Sequence, residues 1–156
     1  MAYQRLQAGR CLAVIPSDTV NIPNVSAAAA SGTTTSGTAS KLTDTGGDFV
    51  NQGIRVGDIV YAGTIAATVT AIDSATVLST SATITTATAY TIYAQADTPS
   101  NGCCIYCGGT GNVSITTMAG DEVILEGIPT GLFIPINGIK RVNSTGTTQS
   151  AIIALW

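Results

Sequence analysis

Apolar and polar positions along this chain alternate in short runs, and turn residues punctuate almost every run. From residue 103 onward the pattern is dense. Residues 103–107 form an apolar run that ends at Gly108-Gly109-Thr110-Gly111. Val113, Ile115 and Thr117 then share one face of a period-two segment that stops at Ala119-Gly120-Asp121. Val123 and Leu125 share a face with Ile124 opposite, and Pro129-Thr130-Gly131 closes that run. Residues 132–136 are apolar on both faces, which predicts a central strand. Ile152, Ala154 and Trp156 fall on one side of a last strand. Short strands with closely spaced turns predict an all-β fold, a jelly-roll-like β-sandwich or a barrel.

The remainder of the chain reads in three parts. Residues 10–15 predict a strand that Pro16 ends, and a turn follows at Pro16-Ser17-Asp18-Thr19. There Ser17 or Asp18 can bond nearby backbone N–H groups. Residues 26–40 are low in complexity and rich in Gly, Ser and Thr, which predicts a flexible linker with at most a helical turn over Ala27–Ala30. Residues 95–102, with Pro99 and Asn101-Gly102, predict a second linker. Between them, 41–94 reads as a small inserted β-barrel-like domain. Ile65, Ala67, Val69 and Ala71 face one way in it and Thr64, Thr68 and Thr70 the other. A hairpin over Asp73-Ser74-Ala75 and a strand at 89–93 complete it. The simplest organisation is a host domain built from 1–25 and 103–156, with 41–94 inserted.

Composition changes the picture in one respect. Of the 156 residues, 45% are hydrophobic but only 10% are charged, with a net charge of −3. The usual charged share is about 25%. Threonine, serine, alanine and glycine make up the difference, so the surface is solvated by hydroxyls, and little charge keeps copies apart. That suits a chain that packs against neighbours. The only adjacent basic pair is Lys140-Arg141, too little for a nucleic-acid footprint. No run approaches the ~20 apolar residues of a membrane span, and no targeting segment stands out, so synthesis in the cytoplasm is the simplest expectation.

Candidate chemistry is thin. Histidine is absent, which removes the commonest general base and metal ligand. Cys104 and Cys107 have the spacing of half a zinc site, but a second pair is missing and a strand at 103–107 turns Cys104 away from Cys103 and Cys107. A disulfide from Cys11 to one of the other three is the competing option, and small buried thiols are the favoured one. Gly108-Gly109-Thr110-Gly111 lacks the following Lys-Ser/Thr and helix of a phosphate loop, and reads as a turn. Asp121, Glu122 and Glu126 read as a solvated strand rim rather than a catalytic carboxylate pair or a calcium site. No catalytic, cofactor or metal site is expected, and the chain is not expected to be an enzyme. Lys140 and Arg141 are the candidate interface residues, with an edge-strand guard as the alternative.

The host pieces resemble the head spike base proteins of gene transfer agents and related small capsid-accessory proteins of tailed phages. The shared pattern runs from the PSDT turn through Y-C-G-G-T-G-N-V, the Gly-Asp turn, G-I-P-T-G and F-I-P-I to K-R-V, S-T-G-T-T and the terminal A-L-W. The inserted piece is similar to a small β module of phage virion proteins. The resemblance implies an oligomerising β-sandwich on the capsid exterior, bound to the major capsid protein and to its own copies as a trimer or pentamer. It implies a decoration or a vertex base carrying a fibre or spike protein, with no nucleic-acid or membrane partner. A receptor- or glycan-binding module of a fibre or tail is the alternative, for which Tyr61, Tyr90, Tyr93, Tyr106 and Trp156 are the available stacking residues.

Overall fold

The structure, a computed structural model, describes residues 9–23, 25, 28–95 and 102–156. Its regular elements are all strands. The first six are β1 (Cys11–Ala13), β2 (Ala28–Thr33), β3 (Lys41–Thr43), β4 (Ile59–Ala62), β5 (Ile65–Ser74) and β6 (Val77–Thr80). The rest are β7 (Ala89–Tyr93), β8 (Cys103–Cys107), β9 (Gly111–Thr117), β10 (Glu122–Ile128), β11 (Leu132–Val142) and β12 (Ile152–Leu155). The chain divides into two units, Met1–Ile22 with Asp97–Trp156, and Pro23–Ala96.

The first unit is one antiparallel sheet in the order β1-β12-β8-β11-β9-β10. Its long strand β11 belongs to both halves. Leu132, Phe133 and Ile134 pair with Cys107, Tyr106 and Ile105 of β8, whereas Arg141 and Val142 pair with Thr116 and Ile115 of β9. The register slips between Ile134 and Ile139, and again at Lys140. Extra residues on one strand bend it and let it turn a corner. The bend needs Gly138, whose φ is +105°, and Gly102, where any Cβ would land on the Gly138 backbone. The sheet therefore curls around its own core. Ile105, Val113, Ile115, Ile139, Val142 and Ile152 fill that core, with Cys103 and Cys107 among them. Each such side chain taken out of water contributes roughly 1.5–3 kcal/mol.

The second unit is a separate antiparallel sheet in the order β2-β7-β4-β5-β6-β3. Its two outermost strands meet. Ser36, just past β2, bridges to Thr43 at the end of β3, and Thr35 N donates to Thr43 O at 2.7 Å. The sheet so closes into a barrel. Phe49, Leu42, Leu78, Ile84, Ile92 and Val69 fill its interior, none of them exposed. The alternation read at 64–72 is the inside-outside alternation of β5, with Ala67 and Val69 buried and Thr70 exposed.

One expectation fails here. Residues 26–40 are not a linker, because β2 occupies 28–33 and pairs along its length with β7. The small residues are there for space. A Cβ on Gly32 would collide with the Asp44 carboxylate and with the Tyr90 hydroxyl, 2.7 Å away. Those two groups form a buried hydrogen bond, Tyr90 Oη to Asp44 Oδ2 at 2.8 Å. Burial and that bond together push the Tyr90 phenol well above its usual pKa. Within 26–40, residues 26 and 27 lie outside the described set, as do 96–101 of the second expected linker. Among the described residues no helix is long and apolar enough to cross a membrane.

Candidate functional site

The first unit keeps a polar groove on the face of β9, β10 and β11 that points away from its core. The pleat sets it up. Val113 and Ile115 of β9 turn inward, so Ser114 and Thr116 turn outward. Ile124 and Glu122 of β10 lie across from them, and Arg141 of β11 lies across from Thr116 on the other side. The loop after β11 and the turn at Asp18 wall the groove, which has a volume of about 510 Å³.

Arg141 organises this face. Its Nε donates to Asn143 Oδ1 at 2.8 Å. Its Nη2 donates to Thr116 Oγ1 at 3.2 Å and reaches Glu122 Oε1 at 3.3 Å. Thr116 Oγ1 donates to Asn143 Oδ1 at 3.0 Å, and Asn143 Nδ2 donates to Ser114 Oγ at 3.1 Å. Ser114, Thr116 and Asn143 are buried, and the network satisfies them. A guanidinium can serve several acceptors in one plane, so the floor of the groove is rigid and polar.

Asp18 clamps the wall. Its carboxylate accepts from Ser144 Oγ at 2.7 Å, from Thr145 N at 2.9 Å and from Thr145 Oγ1 at 2.8 Å. The backbone bond from Thr145 is the largest of the causes that bring its pKa down to about 2, with both hydroxyls adding to it. The sequence expectation of a local bond fits Ser17, whose Oγ accepts from Val20 N at 3.0 Å. Asp18 instead ties together segments 126 residues apart.

The candidate interface pair separates in role. Arg141 is committed to the groove floor. Lys140 sits at the bulge; its carbonyl accepts from Ile22 N at 2.9 Å, and its half-buried side chain forms no ion pair among the described residues. Glu122 is held by Arg141, while Glu126 and Asp121 stand exposed. Composition and spacing missed the most conspicuous feature of this face. β10 is an edge strand, and it leaves Val123 45% and Ile124 52% exposed. Alternation puts Val123 and Leu125 on one face and Ile124 on the other; only the pairing order shows that, among the described residues, no strand follows β10 in the sheet.

The four cysteines are free thiols. Cys103 and Cys107 belong to the core, and burial, with Cys104 beside it, pushes the Cys103 thiol up to about 12. Cys103 Sγ donates to the Ile139 carbonyl at 3.5 Å. The suggested Cys11 disulfide does not form, because β12 lies between β1 and β8: Cys11 pairs with Leu155, and Leu155 with Cys104. Two strand spacings, roughly 9–10 Å, exceed the ~7 Å limit between bridged Cα atoms. No cluster of three or more metal-ligating side chains occurs among the described residues.

The aromatic residues do not form an open stacking platform among the described residues. Tyr90 and Tyr93 are buried, and Tyr61 meets Tyr93 edge-on with ring centroids 5.9 Å apart. Tyr106 and Trp156 are half-buried on β8 and just after β12. The molecule is thus an all-β protein whose distinctive surface is an exposed apolar edge beside a rigid polar groove. No family model, curated protein or solved structure matches the chain.

Proposed function

We propose that this chain is a virion structural protein: a capsid decoration or vertex spike-base subunit that binds the major capsid protein and its own copies. The observation that carries the reading is the edge strand β10, with Val123 and Ile124 solvent-exposed on its two faces, on a protein that has very few charges. Soluble monomers usually blunt such an edge with lysine, proline or a covering element, because it offers unpaired backbone groups to any other strand. Among the described residues β10 ends the sheet, and its edge is open up to the bulge after Leu125. The resemblance of the host pieces to spike-base and capsid-accessory proteins supports the same reading.

The mechanism is mechanical. Binding only the assembled shell stabilises that shell by mass action, and interfaces of permanent assemblies bury ~2,000 Å² or more. The barrel unit, with its edges closed, adds mass and surface without competing for strand pairing. A glycan-binding role finds less support, since the groove carries no aromatic ring.

Quantitative mass spectrometry of purified particles tests the reading. The expected result is a fixed copy number, about 60 for a vertex position or several hundred for lattice decoration, as closed symmetry dictates. Particles that are intact yet lack the chain would overturn it.

A further inference from the structure

We propose that β10 captures an extended segment of a partner protein whose outward face reads basic, apolar, basic at every second residue. The segment would add to the curled sheet as a seventh strand. This inference rests on the reading of β10 as the sticking edge and specifies what sticks to it.

The backbone argument comes first. Thr117 N donates to Asp121 O at 2.9 Å, and the register from there is Glu122 with Thr116, Val123 with Ile115 and Ile124 with Ser114. In an antiparallel ladder bonded and non-bonded pairs alternate. Val123 and Leu125 therefore spend their N–H and C=O groups on β9, and those of Glu122 and Ile124 point away from the sheet. Past Leu125 the register shifts, and the exposed Glu126 stands at that bulge. The outward positions before the bulge offer a short strand its seat.

The side chains of the same three residues set the chemistry. Glu122 and Ile124 line the groove and Glu126 follows at the bulge, so the edge reads acid, apolar, acid along the strand. Ile124 is 52% exposed, Glu126 is exposed and forms no ion pair among the described residues, and Glu122 has 64% of its side chain exposed despite Arg141. Cross-strand neighbours of opposite charge attract and like charges repel. A second copy of β10 brings no basic residue to either glutamate, since the strand carries none: pairing centred on Ile124 sets Glu122 against Glu126, and pairing centred on Leu125 sets Glu126 against Ile124. A partner strand with lysine or arginine opposite each glutamate and a β-branched residue opposite Ile124 meets all three positions.

The test is a titration of the isotope-labelled protein, followed by amide resonances, with the peptide acetyl-Thr-Lys-Thr-Val-Thr-Lys-Thr-amide. A control peptide carries Glu for both Lys. The expected result is saturable movement of the Glu122, Ile124 and Glu126 amides with the lysine peptide alone. Glu126→Lys, at an exposed site, should weaken that binding roughly fivefold and leave the rest of the spectrum unchanged. Equal response to both peptides, response confined to other strands, no response, or peptide-free concentration dependence at β10 showing that copies pair there, would each overturn the proposal. Particles that contain the chain, together with a silent titration, would sink this inference alone. Peptide capture by a chain missing from particles would sink the functional reading alone.

Discussion

The two units use the same secondary structure and solve the edge problem differently. In the barrel, Ser36 bridges to Thr43 and Thr35 N donates to Thr43 O, so the two outermost strands are tied together where they meet. In the curled sheet, β11 turns a corner but β10 has no strand on its far side among the described residues. Closure makes a unit self-sufficient, while an open margin makes it adhesive. On the proposed reading, the contrast gives sticking to the unit of 1–22 and 97–156 and leaves the unit of 23–96 without that role.

The largest expected effect breaks the barrel. Phe49 is fully buried and its ring lies 6.1 Å from that of Tyr90. Phe49→Ala should cost about 3–5 kcal/mol, read as lost hydrogen-exchange protection in β4 to β7. If protection fell equally in β8 to β12, the two cores would be one cooperative body and the comparison would fail.

A smaller effect separates the units by acid. Asp18 in the curled sheet has its pKa lowered to about 2 from 3.8 by its bonds to Thr145 and Ser144. Asp73 in the barrel is lowered chiefly by the Lys41 ammonium, 2.7 Å away. A depressed folded pKa stabilises above the unfolded value and loses that contribution as pH falls through the folded one. Stability should therefore decline below pH ~4, with the Asp18 contribution lost as pH falls through about 2. Asp18→Asn should flatten that decline for β9 to β12 amides and leave the barrel's acid response unchanged. An identical acid profile in the variant would remove Asp18 from its role as the clamp.

Much of this was legible in the residues, and the illegible parts have definite causes. The period-two run at 64–72 became β5, with Ala67 and Val69 buried on one face, and that at 113–117 became β9, with Val113 and Ile115 in the core and Ser114 and Thr116 buried in the polar network opposite, while the run at 132–136 became part of the central strand β11. Residues 26–40 read as a linker because alanine, serine, threonine and glycine also make flexible chain. Gly32 in that stretch leaves room for the Tyr90–Asp44 bond, a contact across 46 positions that no local window contains. The groove was hidden for the same reason. Asp18, Ser114, Arg141 and Asn143 come together only after β11 has turned its corner. Lys140 and Arg141 drew notice as a charged pair, yet Arg141 serves the groove floor. The edge character of β10 depends on strand order, which alternation does not encode.

The most direct test of the central claim is hydrogen–deuterium exchange of the chain free and bound to purified capsid particles. The account predicts new protection at 122–128 on binding, with β4 to β7 unchanged. Protection confined to the barrel, with β10 exchanging as fast as in the free protein, would contradict it.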